Sequence, residues 1–527
     1  MLFYESGRRG YLIMDTNGEI PSVGYHMEKG MAGLWFPPLK LLKGMKIENL
    51  KDPLLVVTKS GRKLRDGDTT VEILIPVDDE ELFISITTEG GLKLTIELCS
   101  TPVWKSEEVG LNYSIDELKR IDESTFSLRL NESKRYYLMT TDHLVETDHL
   151  KFTVSITGSG VLYIGGRRYT DLHRAFVLKK KEKEEYYLER IGSRNDLDTH
   201  LKKFLLEMFL SNEYGRGVIA GFPEYPWWFG IDTFFIGEAL LRYELYDLLR
   251  DSILNLLNHS KCGMIPHEIV NNGYVNHPGY PLETLLIIVL LEDYFLRTGN
   301  ADFVKMVYWE LRQGLKKLLK QIYPRGPSFV ELEETSNGEI QSLDTAVASY
   351  ACCRSLLKLS KLLDDPEMKG FLGDLMEYYQ KRFLRDWYSK KHGVFYDYFR
   401  GREKVIGYFF IQLFPLFFRI VDERIARTVF ENLKKVGLIC DDGLLHSIHD
   451  DPKDGFYMGK SHKVWWIANA MLKKCVKEYD LNYDLERLDE RFIDDVENEG
   501  MPHVPPEIVG NPTGCFAQTW SALYWVV

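Results

Sequence analysis

The feature that most constrains this chain is a change of hydrophobic period around IGSRNDLD, residues 191–198. Before it, apolar and polar residues alternate in short runs: VEILIPV, LFISITT, LKLTIEL, FSLRL, YYLMTT, FTVSI and VLYIGG. Such runs, rich in β-branched and aromatic side chains and separated by turn residues, predict strands with one buried face. After it the period moves to about 3.6 and stays there to the end, which predicts helices. At 527 residues the chain is too long for one ordinary core. The reading is an antiparallel β-sandwich over 1–192 followed by an all-α domain over 193–527.

About twelve helices are expected, at 197–212, 232–244, 246–259, 281–298, 301–322, 340–363, 365–386, 405–420, 422–435, 460–478, 483–493 and 515–527. The sharpest start signal is DDPE at 364–367, an Asp cap with Pro366 in the first turn. Helices that begin after long loops rich in Trp, Gly, Pro, His and acids alternate with helices that follow a short turn. The elaborate starts recur every 50–65 residues, which is a repeat of helical hairpins. Six such pairs closed into a ring form an (α/α)6 barrel. The alternation then gathers all six long loops at one end, around one pocket.

Charge and cysteine usage exclude several function classes. Sixty-six Lys and Arg against 78 Asp and Glu give a net charge of −12, with no basic stripe for a nucleic acid. Seven cysteines are scattered without CxxC or His/Cys spacing, so they predict reduced core residues and no metal site. The opening MLFYESGRRG acquires charge too early for a secretory signal. The apolar run LLIIVLL, 285–291, is far shorter than the ~18 residues a membrane span needs. These features predict a cytoplasmic protein with no membrane partner and no cofactor; oligomeric state stays open. The run KKKEKEE, 179–185, reads as a solvated closing segment of the first domain.

The six loops carry the candidate chemistry. The first, GFPEYPWWFGIDTFF (221–235), sets Trp227 and Trp228 beside Asp232 at a helix start. Indoles match the C–H face of a sugar and a carboxylate can accept from two adjacent hydroxyls; equally, the indoles can be core and Asp232 a cap. The second, 263–281, holds His267, Glu268, Asn276 and His277 among glycines and prolines. The third, SFVELEETSNGEIQSLD (328–344), crowds Glu331, Glu333, Glu334 and Glu339 before a helix. Crowding can keep one acid protonated near neutral pH, as a general acid requires, while acids at a helix start also complement its dipole. The fourth, 393–410, offers Tyr396, Tyr398, Arg400 and Arg402, and the fifth offers Tyr457, Lys460, His462, Trp465 and Trp466. In the sixth, 501–523, Glu507 sits between two prolines and a Gly-Asn-Pro turn, opposite the third loop in ring order. Two opposed carboxylates among aromatics suit glycoside hydrolysis, and the width of a barrel mouth favours inversion.

These motifs resemble the six-hairpin glycoside hydrolases, in particular the amylo-α-1,6-glucosidase part of glycogen debranching enzymes and, more distantly, glucoamylases. PWWFGIDTFF is similar to the PWFxxWGRDT-type segment, IPHEIVNNG to the G-x-I-P-x-x-I loop, and GKSHKVWW to HxGxVWPW. FVELEETSNGEIQSLDTAV resembles both the glucoamylase segment LWEE and the debranching V-E-I-x-A-L, while PPEIVGNPTGCFAQTWSAL resembles the closing E-[IL]-F…G-C-x-A-Q-A-W-S. The resemblance implies hydrolysis of an α-linked glucan or oligosaccharide. It implies Asp232 as the grip on the innermost sugar, Glu333 as general acid with Glu334 beside it, Glu507 as general base, and Gln518 with Trp520 bracing the pocket. Ile231 stands where the family commonly has Arg, and Leu332 where Trp precedes the acid. If SFVE replaces the TWMD element of the debranching enzymes, Glu331 takes the acid role instead. Two other readings keep the barrel: a glycoside phosphorylase using Lys460 and His462 to hold phosphate, and a carbohydrate-binding protein without chemistry.

Overall fold

The computed structural model describes residues 1–24, 26–131, 136–194, 196–279, 281–322, 340–448, 463–499, 501–510 and 515–527. Period-two alternation in its first two strands, Leu2–Gly7 and Gly10–Asp15, builds two cores at once. Phe3, Leu12 and Met14 enter a core within the sheet, with Leu34, Ile84, Ile96, Phe126 and Val154. Tyr4, Tyr11 and Ile13, on the opposite face, join Leu201, Phe204 and Trp227 of the helical region. The two parts of the chain therefore share an apolar interior.

Thirteen strands form one antiparallel sheet whose centre pairs Glu81–Pro102 with Lys151–Gly165. Where two separate layers are expected, the ladder is continuous, because these strands of 22 and 15 residues pass through both halves. Their register shifts between Ile156 and Gly158, and Gly91 and Gly158 nearby have φ of 77° and 79°. That left-handed backbone is open to glycine and resisted by other residues, and such a bulge bends the strands.

The helices are α1 (Leu172–Ile191), α2 (Leu197–Glu207), α3 (Gly230–Arg242), α4 (Tyr246–Asn258), α5 (Pro281–Thr298), α6 (Ala301–Ile322) and α7 (Leu343–Leu362). They continue with α8 (Pro366–Trp387), α9 (Phe414–Phe417), α10 (Glu423–Lys435), α11 (Trp466–Tyr479), α12 (Leu485–Asn498) and α13 (Leu523–Val526). Helices α3, α5, α7 and α11 are buried on most faces, whereas α8, α10 and α12 bury single stripes. Contacts run α3 to α5, α5 to α7, α7 to α9, α9 to α11, α11 to α13 and α13 back to α3. The buried set thus makes a closed circuit.

Four expectations are corrected, one of them the helix expected over 515–527, where Ala517–Gln518 is a strand, Thr519–Ala522 a 3-10 turn and only Leu523–Val526 α-helical. The run 179–185 lies within α1, and helical spacing turns one of its lysines inward. Lys183 is 0% exposed and its Nζ donates to Glu5 Oε1 at 2.5 Å, Ser6 O at 2.6 Å and Ile75 O at 2.7 Å. The helix expected over 197–212 stops at Glu207, and Phe209–Asn212 pairs as a strand with Gly215–Val218. The helix expected over 405–420 is a 3-10 turn, Phe410–Leu413, followed by the single turn α9. Asp397 gives the reason. Its buried carboxylate accepts from the amides of Gly407 (2.7 Å), Tyr408 (2.9 Å) and Phe409 (3.1 Å) and from Gln412 Nε2 (2.8 Å), diverting them from a helical ladder.

Candidate active site

Short ladders stitch the loops ahead of the inner helices to one another. Trp228–Phe229 pairs with Glu268–Ile269, joining the first loop to the second. Ile340–Ser342 pairs with Tyr398–Arg400, and Phe409 bridges Ser447. Trp465 bridges Ile508, and Gly221–Phe222 pairs with Ala517–Gln518, returning the sixth loop to the first. Inside this collar lies a cavity of about 330 Å³.

Asp232, in the first turn of α3, lines the cavity and is 7% exposed. Burial pushes its pKa up to about 7; the His267 side chain opposes that rise and the negative charge of Glu507 adds to it. Gln518 Nε2 donates to Asp232 Oδ1 at 3.3 Å. Glu507 lines the same cavity, 5% exposed, and its Oε2 accepts from the Cys515 amide at 3.0 Å. Its backbone is fixed as well: its carbonyl accepts from Trp466 N and its amide donates to Cys515 O. The Asp232 and Glu507 side chains thus face the same cavity closely enough for the charge of one to act on the other.

The second loop supplies a polar wall. His267 Nδ1 lies 2.7 Å from Glu283 Oε1. Glu268 accepts from Trp227 Nε1 and Asn276 Nδ2, both at 2.7 Å, and lies 3.3 Å from His277 Nε2. Burial, with His267 and Lys105 nearby, lowers the His277 pKa to about 4, so its ring is neutral at pH 7.

Of the residues singled out from sequence, the structure gathers Asp232, His267, Glu268, Trp465, Glu507 and Gln518 around the cavity. Trp227 and Trp228 are 0% and 1% exposed and stand behind it; Trp228 Nε1 donates to Gly217 O at 3.1 Å. Aromatic lining comes instead from Trp104, Trp465 and Trp520. Glu331, Glu333, Glu334 and His462 lie outside the described residues. Two contributions carried no sequence signal. Asp344, 4% exposed in the first turn of α7, lines the cavity, although acids in first turns are ordinary dipole complements. His26 and Trp104 come from the sheet domain, far from any helical loop in sequence. Among the described residues no group of three or more His, Cys, Asp or Glu could hold a metal ion, and no helix is long and apolar enough to cross a membrane.

Residues 175–338 match the family model described as amylo-alpha-1,6-glucosidase, a stretch that includes Asp232, His267 and Glu268. Among solved structures, a bacterial glucoamylase complexed with acarbose matches this fold with a TM-score of 0.68 at 13% identity, over 100% of this chain and 92% of that one. A GH63 mannosylglycerate hydrolase from Thermus thermophilus, in complex with Tris and D-glycerate, matches 63% of the chain and all of its own length, at TM-score 0.46 and 13% identity. Among curated proteins, no sequence matches this chain.

Proposed function

We propose that the protein is an inverting glycoside hydrolase, acting on an α-linked glucan or oligosaccharide as amylo-α-1,6-glucosidases do, from one mouth of an (α/α)6 barrel. The observation that carries this reading is the single cavity that joins Asp232 and Glu507, two carboxylates on different loops, within an aromatic collar. Glu507 is the general base. Anchored by the Cys515 amide, it takes a proton from a water whose oxygen bonds to the anomeric carbon. The general acid is Glu333, or Glu331 if SFVE aligns with TWMD; it gives its proton to the glycosidic oxygen as the carbon–oxygen bond breaks. Support for that loop comes from its end: Ser342 donates to Asp344, and Asp344 faces the cavity. Asp232 accepts from hydroxyls of the innermost sugar.

Water as acceptor is favoured over phosphate by the lining. Asp232, Glu268, Asp344 and Glu507 place four carboxyl groups around the cavity, which repel a phosphate dianion. Lys460 and His462, the residues a phosphorylase would use, lie outside the described residues.

The test is hydrolysis of α-1,6- and α-1,4-linked glucose oligosaccharides, with and without phosphate, following the first product by proton NMR. Glucose released initially as the β-anomer, with no sugar phosphate, is the expected result. Glu507→Gln is expected to lower kcat by about 10²–10⁴-fold while oligosaccharide binding persists. Normal turnover by Glu507→Gln, or α-anomer as first product, overturns the proposal.

A further inference from the structure

Two walls of the cavity come from the domain that carries none of the expected catalytic residues. Trp104 stands two residues beyond the end of the long strand Glu81–Pro102, and His26 opens a 3-10 turn, His26–Lys29. The Trp104 ring stacks on Trp227 at 5.6 Å between centroids, with 20° between planes. Trp227 is itself sealed from solvent and tied to Glu268 by its indole N–H, so Trp104 is the face that this stack offers outward. His26 packs on the same group, tilted against Trp104 at 5.0 Å and edge-on to Tyr225 at 5.6 Å and Trp227 at 5.3 Å.

Both residues are held in place. Asn272, 1% exposed in the second loop of the helical region, donates from Nδ2 to Trp104 O and Ser106 Oγ, each at 3.2 Å. His26 Nδ1 lies 3.4 Å from Glu224 Oε2 in the first loop. Met27, Glu28 and Lys29 have φ of 53°, 52° and 67°, a left-handed run that non-glycine residues take only when packing imposes it.

The cavity also has a direction. Phe235, Phe414 and Met471 belong to the inner helices α3, α9 and α11 and give the cavity an apolar side, whereas Trp104, His26 and Tyr225 line it from segments outside those helices. A sugar held by Asp232 and Glu507 lies between them. The next ring of an oligosaccharide, on the side away from those inner helices, meets the indole of Trp104. Indole faces stack on the C–H faces of pyranoses, and the amide of Asn276 and neutral His277 offer hydrogen bonds to the ring's hydroxyls.

We infer that Trp104 and His26 form the platform for the sugar ring on the leaving side of the cleaved bond, so that the sheet domain selects oligosaccharide substrates. This rests on the hydrolase reading above for the identity of the inner sugar. It adds that the helical domain alone holds an incomplete site.

The experiment uses the full chain and two probes. Glucose as a competitive inhibitor reports the inner position; maltotriose, by KM and by calorimetric Kd, reports both positions. Trp104→Ala is expected to weaken maltotriose by about tenfold, and His26→Ala by a smaller factor, with the glucose inhibition constant changing by less than about twofold. Trp104→Tyr, which keeps a stacking face, is expected to recover most of the loss. Unchanged maltotriose affinity in Trp104→Ala, or equal weakening of glucose and maltotriose, overturns the inference. If Trp104→Ala does not fold, the same contrast in Trp104→Tyr and His26→Ala decides. A wild-type chain that binds maltotriose through Trp104 without cleaving it retires the hydrolase reading and keeps the platform.

Discussion

Asp232 shows what burial does to a carboxyl group that lines the cavity. Its folded-state pKa of about 7 lies above its ordinary value, so the carboxyl binds a proton more readily folded than unfolded. Its contribution to stability is complete at low pH and is lost as pH rises through about 7. Asp232→Asn is therefore expected to melt at a higher temperature than the parent at pH 8 and by a smaller margin at pH 5. The same variant is expected to bind sugar more weakly at pH 8, where the ionised carboxylate accepts from hydroxyls. A Tm difference between variant and parent that does not grow from pH 5 to pH 8 contradicts this. At this scale sequence indicated Asp232 and Glu507 by their loops, but it could not rank Trp227 against Trp104. An indole in a polar loop looks alike whether it is the exposed face of a stack or the hidden one.

Helix starts and loop ladders belong to the next scale. Asp365 caps α8 by accepting from Met368 N at 3.1 Å, and it also takes Arg312 Nε at 2.5 Å, Arg312 Nη2 at 3.0 Å and Tyr308 Oη at 2.9 Å from α6. The cap thus ties α6 to α8. Asp365→Ala is expected to cost about 2–4 kcal/mol in urea unfolding, more than the ~1 kcal/mol of a bare cap, because Arg312 is left with Glu367 alone. A loss under about 1 kcal/mol would show that the tie to α6 contributes nothing. This start was legible, since an Asp followed by a proline in the first turn is a local signal. The segment 405–420 was not. Its apolar spacing suits a helix, but Asp397, eight or more residues earlier, captures the amides a helix needs.

Across the whole molecule, a buried ionic cluster joins sheet to helices. Glu207 at the end of α2 accepts from Tyr4 Oη at 2.8 Å and from Arg62 at 3.2 and 3.1 Å, and Lys203 also donates to it. Burial acts to raise the Glu207 pKa, but Arg62 and Lys203 outweigh it and hold the carboxyl well below the usual range. A depressed carboxylate contributes stability above its unfolded pKa, lost as pH falls through the folded one. Glu207→Gln leaves Arg62 and Lys203 buried with less compensating charge. It is expected to lower stability by about 3–5 kcal/mol at pH 7, read by denaturant unfolding, and to narrow the gap to the parent in acid. Equal stability at pH 7 would mean the seam is held by its apolar contacts alone.

The residue pattern by itself determined the order of architectures, the alternation of elaborate and plain helix starts, and the polar loops that carry the candidate acids, because these follow from periods and turn chemistry within a few residues. Only the tertiary structure decided that the sheet domain reaches the cavity through His26 and Trp104, that Trp227 lies beneath, and that Lys183 turns inward to Glu5. The physical reason is distance along the chain: burial and partner are set by residues a hundred or more positions away, which no local period records.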